Sequence, residues 1–175
     1  SARNGEIVVV AGMVSQRNYF DGNAYADSGR SKFINSALID SQVLPMAAYN
    51  FGLNLQWQPA DDWYAMVGGS LGGNGAKSTP WSDLNGEDWS VPLEVGYAPQ
   101  DFLNLGPGVY RIQPFAAEVD GAAGTGLCFD LQQQLGSQSP YGWFGRFGFG
   151  DSRVSAGAST QAGTGFVLQG PFKHV

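Results

Sequence analysis

A period of two along residues 126–151 is the feature that most constrains how this chain can fold. Between Leu127 and Leu135 the odd positions are apolar apart from Gln133, and the even positions are Cys128, Asp130, Gln132 and Gln134. After a turn rich in Gly, Ser and Pro, Arg146 points away from a face formed by Trp143, Phe147 and Phe149. Such alternation is typical of β-strands with one apolar and one polar face, so the stretch is predicted to be a β-hairpin.

The register of this hairpin depends on its turn. If the turn is symmetric about residues 138–139, Leu131 lies opposite Phe147 and Gln132 lies opposite Arg146. A shift by one residue would move the polar side chains to the wrong face, so we expect the register to be well specified. The hairpin alone leaves two interpretations open: a soluble sandwich would bury the apolar face, whereas an outer-membrane barrel would turn it toward lipid.

Composition favours the second interpretation. Only 14% of the 175 residues are charged, against roughly 25% in an ordinary soluble domain. The chain also contains 26 glycines, which suits strands that need small residues on one side. There is no run of 18 apolar residues, so no membrane-spanning helix is predicted. The net charge of -6 without a basic cluster argues against nucleic acid as a partner.

The same alternation recurs along the chain and predicts about eight antiparallel strands in an up-and-down order. The other predicted strands are residues 6–13, 51–58, 63–71, 91–97, 109–118 and 161–169. Long or polar connections are predicted at 14–45, 72–89, 119–125 and 151–159, and shorter ones at 59–62, 98–107 and 136–142. This alternation of long and short connections is typical of a membrane barrel. Pro114 interrupts one strand, and we expect a β-bulge there.

Tryptophans flank several of the predicted connections. Trp57 and Trp63 lie on either side of the first short turn, where an aromatic belt at a membrane interface would place them. Trp81 and Trp89 belong to the second long connection. Their position fits either the mouth of a pore or the same type of belt.

Four segments of the chain resemble the carbohydrate-selective porin family, known as OprB. They are Asn18–Leu38, Tyr49–Gly68, Gly108–Phe115 and Pro140–Asp151. The resemblance implies a transmembrane β-barrel of the bacterial outer membrane, in which about eight strands form part of a roughly sixteen-stranded wall. It also implies that residues 14–45 are a candidate for a loop that constricts the lumen.

Both ends of the sequence bear on how much of such a barrel is present. The chain ends in GPFKHV, without the terminal aromatic residue expected of a porin. It begins SARNGEIVVV, which lacks the features of a signal peptide. We therefore expect residues 1–175 to be a single internal segment of the barrel domain of a longer protein.

A sugar pore needs a water-filled passage lined by hydrogen-bonding groups, and charged residues at its narrowest point can set selectivity. On the polar faces of the strands, the candidates for pore lining and sugar contact are Arg111, Arg146, Glu94, Asp130, Gln113, Gln132, Gln134, Asn54 and Gln56. In the long loop, the candidates for the constriction are Arg17, Tyr19, Phe20, Asp21 and Asn23.

Each of these roles has a structural alternative. Arg111 and Arg146 are expected two strands apart, roughly 10 Å, where their guanidinium groups could reach passing hydroxyls. Alternatively, Arg146 pairs with Asp130 on the neighbouring strand and only stiffens the wall. Tyr19 and Phe20 could equally anchor the loop to the wall without lining a constriction.

Signals of enzymatic chemistry are weak, and we predict neither an enzyme nor a cofactor or metal site. Asp61 and Asp62 are adjacent in a turn, where carboxylates usually face apart. The single histidine, His174, lies near the chain end. Cys128 has no histidine or base in its own hairpin, so it is expected to be inert.

The sequence thus predicts an outer-membrane porin that allows passive, carbohydrate-selective diffusion of sugars and small hydrophilic solutes. Its partners would be these solutes, outer-membrane lipid and, as an open question, further copies of the chain or other outer-membrane components. One alternative is a soluble carbohydrate-binding β-sandwich, in which the apolar faces of two sheets pack together. Another is a small closed barrel with a structural anchoring role, its interior filled by side chains.

Overall fold

The computed structural model describes residues 5–26, 40–46, 49–72 and 88–168. These residues form one antiparallel sheet in which every strand pairs with its neighbours in sequence. The strands are β1 (Ile7–Val14), β2 (Asn50–Ala60), β3 (Trp63–Leu71), β4 (Trp89–Tyr97), β5 (Gly108–Val119), β6 (Ala122–Gln134), β7 (Tyr141–Gly150) and β8 (Thr160–Leu168). The predicted all-β, up-and-down arrangement of about eight strands is therefore confirmed.

The sheet is open, with β1 and β8 as its two edges. A single turn of 3-10 helix, Gln16–Asn18, follows β1. None of the described residues forms a helix long and apolar enough to cross a membrane. Trp81 and His174, considered above, lie outside the described residues.

The two faces of the sheet are inverted relative to those of an ordinary soluble protein. On one face large apolar side chains are exposed, among them Phe166 at 77%, Ile7 at 60% and Phe147 at 42%. On the other face polar side chains are covered, and Glu94 and Asp130 are only 2% and 1% exposed. Alternation along each strand produces both faces at once, because successive side chains point to opposite sides. We call them the apolar face and the polar face.

The polar face is covered by the described part of the connection between β1 and β2. Its first leg, residues 15–26, and its second leg, residues 40–46, lie against the strands. Together with the strands they bury one apolar cluster of Phe20, Val43, Leu44, Met46, Phe115, Ala117, Cys128 and Val154. A second, smaller cluster contains Tyr25, Ala26 and Phe144. These hydrophobic contacts hold the two legs against the sheet.

The register of the β6–β7 hairpin differs from the predicted one. Asp130 lies opposite Arg146, whereas the prediction placed Gln132 there. The turn forms earlier than expected, because the Ser139 amide donates to the Gly136 carbonyl. The difference is two residues, an even number, so every side chain remains on its predicted face.

The connection at 119–125, predicted to be one of the long or polar ones, is a two-residue turn, Asp120–Gly121. Both residues have positive φ angles, 51° and 75°, as a type I′ hairpin turn requires. Asp-Gly is a favoured pair for this turn. Strand β6 consequently begins at Ala122, and the predicted alternation of long and short connections fails at this point.

The bulge predicted at Pro114 is also wrong. Pro114 pairs with Leu127 in a continuous register between β5 and β6, and toward β4 the register is the same on both sides of the proline. A missing N–H removes one donor without adding a residue, so no bulge is required. The register shifts in β2 instead, between Trp57 and Ala60.

Candidate functional site on the polar face

Asp130 is the centre of a buried network of charged groups on the polar face. Its carboxylate lies 2.7 Å from Arg111 Nη1 and 3.0 Å from Arg146 Nε. The Asn23 side-chain amide donates to both oxygens of the carboxylate, at 2.9 and 3.1 Å. Strand pairing explains the arrangement, because Asp130 in β6 lies directly opposite Arg111 in β5 and Arg146 in β7. Both arginines are therefore engaged in ion pairs, including the Arg146–Asp130 pair that was the structural alternative.

Arg111 extends this network toward β3 and β4. Its Nε donates to the Tyr64 hydroxyl at 2.9 Å, and that hydroxyl donates to Glu94 Oε1 at 2.6 Å. The other oxygen of Glu94 accepts a hydrogen bond from the Gln113 amide at 2.7 Å. Both oxygens of this buried carboxylate are thus satisfied.

The first leg of the loop joins the network through Asp21. Arg146 Nη1 donates to Asp21 Oδ2 at 3.1 Å, and Arg146 Nη2 donates to the Asp21 carbonyl at 3.0 Å. The Ser41 amide donates to the same Oδ2 at 2.5 Å, so Asp21 also ties the two legs together. Burial raises the pKa of Asp21 to about 7, although Arg146 and the Ser41 amide act to lower it. We call Asp21, Glu94, Arg111, Asp130 and Arg146 the charge cluster.

A polar cavity of about 250 Å³ lies beside the charge cluster, between the first leg and the strands. It is lined by Asn18, Tyr19, Gly22, Gln56, Tyr64, Met66, Glu94 and Arg111. At roughly 30 Å³ per water molecule, this volume is large enough for a small hydrated solute. The lining combines hydrogen-bonding groups with two tyrosine rings, which is a chemistry suited to a sugar.

A second depression, of about 230 Å³, lies further along the same face. It is lined by Ala24, Tyr25, Pro107, Gly108, Val109, Gln132 and Gln134. Gln132 also accepts a hydrogen bond from the Ala24 amide at 2.8 Å, which fixes the first leg above it.

The predicted site residues separate into several groups. The charge cluster and its partners contain Asp21, Asn23, Glu94, Arg111, Gln113, Asp130 and Arg146. The cavity contains Tyr19 and Gln56 in addition to Glu94 and Arg111. The second depression contains Gln132 and Gln134.

Three predicted residues have other surroundings. Phe20 belongs to the apolar cluster, so it anchors the loop to the wall. Arg17 lies at the rim and pairs with Asp40 at 3.0 Å. Asn54 is buried on the polar face but does not line the cavity.

Tyr64 was missed by the sequence analysis. Alternation in β3 places it on the polar face, because Trp63, Ala65 and Val67 occupy the other one. It lies opposite Gly96, and a Cβ at that glycine would overlap the Tyr64 ring. A large aromatic residue facing a glycine on a polar face was the available signal.

We expect Gly96→Ala to lower the free energy of unfolding by about 1–3 kcal/mol, because the new methyl displaces Tyr64 from its hydrogen bonds. Gly69→Ala is the matched control in the adjacent strand, since a Cβ there meets no atom within 4 Å. Denaturant unfolding of both variants measures the difference. In a Tyr64→Ala background the cost of Gly96→Ala should largely disappear, and an unchanged cost would contradict this account.

Comparison with known proteins identified no relative. No protein-family model, no curated protein and no solved structure matches the chain. The resemblance to carbohydrate-selective porins therefore rests on the sequence segments alone, and a function has to be inferred from the site itself.

Proposed function

We propose that this sheet is part of the wall of an outer-membrane pore through which sugars and other small hydrophilic solutes diffuse passively. The observation that carries the proposal is the inversion of the two faces. Exposed Phe, Leu, Ile and Val on strands are expected where the surroundings are hydrocarbon, while a polar inner face is expected around water. A soluble protein would show the reverse arrangement, with the apolar side chains of its strands buried and the charged ones exposed.

Aromatic residues at the strand ends support this placement. Trp63 and Tyr97 have ring centroids 4.7 Å apart, and Phe102 and Tyr110 have centroids 4.9 Å apart, at the end of the sheet that carries the β2–β3 and β4–β5 connections. At the opposite end of β4, Trp89 donates to Glu118 at 2.9 Å. Rings with an apolar body and a polar tip are enriched at the two interfaces of a membrane.

The chemistry of the polar face supports the proposal that the solutes are sugars. Its cavity offers carboxylate, guanidinium, amide and hydroxyl groups beside two tyrosine rings. A sugar would exchange hydrogen bonds with water for hydrogen bonds with these groups as it passes. Conduction requires that such contacts remain weak, so we expect low affinity. No covalent step or cofactor enters this mechanism.

The two alternative functions fit the described residues less well. A carbohydrate-binding sandwich requires a second sheet on the apolar face, whereas the described strands form a single sheet with that face exposed. An anchoring barrel of eight strands requires β1 to pair with β8, whereas these two strands are separate edges of the sheet.

Sugar flux into liposomes tests the proposed function. We expect the reconstituted protein to admit hexoses at a rate that rises in proportion to concentration, as a weak site predicts. Gln56→Trp should fill the cavity and reduce hexose flux several-fold, because Gln56 lines it without belonging to the charge cluster. Gln58→Trp, in the same strand but outside the cavity, is the control. Liposomes that remain closed to all sugars would contradict the proposal.

A further inference from the structure

The charge cluster contains more negative than positive groups. Three carboxylates, those of Asp21, Glu94 and Asp130, share two guanidinium groups. None of the five side chains is more than 12% exposed. An uncompensated charge is costly in such a place. One added proton would make the cluster neutral.

Hydrogen bonding indicates which carboxylate takes that proton. Glu94 and Asp130 each accept hydrogen bonds on both oxygens. Asp21 accepts from Ser41 and Arg146 on Oδ2 only, so among the described residues its Oδ1 has no hydrogen-bond partner. A proton on Oδ1 therefore breaks no hydrogen bond with these residues.

We infer that the first and second legs of the β1–β2 connection take up one proton at Asp21 when they dock on the polar face, so that they bind firmly in acid and loosen above neutrality. Loosening of the legs would widen the path for solutes beside the cavity, and this effect rests on the proposed function. The docking itself does not depend on that function.

Several groups face Asp21 from the elements packed against it. They are Arg146 from β7, Asp130 and Cys128 from β6, and Asp40 with the Ser41 amide from the second leg. Arg111 in β5 lies behind Asp130, and Arg17 in the first leg is paired with Asp40. Burial, Asp130 and Asp40 raise the pKa of Asp21, while Arg146 and the Ser41 amide lower it. Burial is the largest of these effects.

The direction of the pH dependence follows from this balance. The pKa of Asp21 rises from an ordinary value of 3.8 to about 7 when the connection is docked. The contribution of Asp21 to docking is therefore complete below about pH 4 and is lost as the pH rises through about 7. Between those limits the docking constant should fall about tenfold per pH unit.

Cys128 provides a direct reporter of docking. It is the only cysteine in the chain. It is buried under the second leg, with its Sγ 3.5 Å from the Ser41 hydroxyl oxygen. A water-soluble thiol reagent can reach it only after that leg has moved away, so its modification rate measures the undocked fraction.

The test measures modification of Cys128 in the folded protein at about pH 5 and about pH 8.5, each rate divided by that of the denatured protein at the same pH. We expect the ratio to rise at least about tenfold with pH. In Asp21→Asn the ratio should change less than about twofold, since no proton is exchanged there. Asparagine also tolerates the positive φ of 61° at this position.

Asp61→Asn is the matched control, because it removes an exposed carboxylate from the β2–β3 turn. It should behave like the unaltered protein. A ratio independent of pH in the unaltered protein, or a pH dependence that survives in Asp21→Asn, would overturn the inference. Sugar flux measured at the same two pH values separates the two proposals. If the modification rate of Cys128 depends on pH but no sugar flux is seen, proton-linked docking is supported and the pore is contradicted. If sugar flux is seen but the modification rate does not depend on pH, the pore is supported and proton-linked docking is contradicted.

Discussion

Replacing Leu93 by arginine is expected to lower the free energy of unfolding from a lipid bilayer by about 2–4 kcal/mol, the cost of a cationic side chain near the midplane of a barrel wall. Leu93 lies midway along β4, four residues from Trp89 and four from Tyr97. These two rings would mark the membrane interfaces. Its side chain is on the apolar face and 43% exposed. The guanidinium group would have to leave water for hydrocarbon, and no acidic partner is placed to receive it on that face of β4.

Leu105 offers a matched control, since it is equally exposed at 43% but lies in the connection between β4 and β5. Leu105→Arg should change stability by no more than about 0.5 kcal/mol, as at an ordinary surface position. Denaturant titrations of the protein folded into phospholipid vesicles compare the two variants. If the apolar face were in water, both substitutions would be nearly neutral, so equal and small effects would contradict the proposed membrane location.

Removing the carboxylate of Asp130 is expected to have the largest effect among the buried polar residues. Asp130→Ala should lower the free energy of unfolding by about 3–5 kcal/mol, because it leaves two buried guanidinium groups without their shared partner. It also removes the carboxylate that accepts from the Asn23 amide, which is one of the contacts that hold the first leg. The first leg should therefore loosen together with the wall.

Asp40→Ala is the comparison for this prediction. Asp40 pairs with Arg17 at 3.0 Å, but the two side chains are 35% and 46% exposed. Such a pair contributes about 0–1 kcal/mol. Equilibrium unfolding curves of the two variants give the difference. Asp130→Ala with a cost below about 1 kcal/mol would show that the charge cluster contributes little to stability.

The faces of the strands were predictable from the sequence because side chains alternate with a fixed period of two. Glu94, Arg111 and Asp130 were placed on the polar face by this rule, and all three are covered there. No long-range information was needed. The alternation of apolar and polar residues within each strand was enough to assign its two faces.

The pairing within the charge cluster was less accessible, because register is decided by turns. The early turn at Gly136 brought Arg146 opposite Asp130 and not opposite Gln132. The Asp120–Gly121 turn did have a local signal in its residue types, because Asp-Gly favours a two-residue hairpin turn.

The contacts of the loop could not be read from the sequence at all. Asn23 and Asp130 are 107 residues apart, and the first leg has no periodicity to indicate which wall residues it meets. Asp21 likewise reaches Arg146 across 125 residues. Such contacts depend on tertiary packing, which leaves no repeating pattern in either segment.

In the part of the chain that the structure describes, β1 and β8 are edge strands, and this has a consequence for biogenesis. β1 and β8 each present a row of backbone donors and acceptors to whatever surrounds them. Hydrocarbon cannot form hydrogen bonds with these groups, so an isolated sheet of this kind would be unstable in a membrane. In a pore, further strands would have to pair with β1 and with β8 before or during membrane insertion. The rate of this strand pairing, and not the rate of hydrophobic collapse, would then limit how fast the protein folds and inserts.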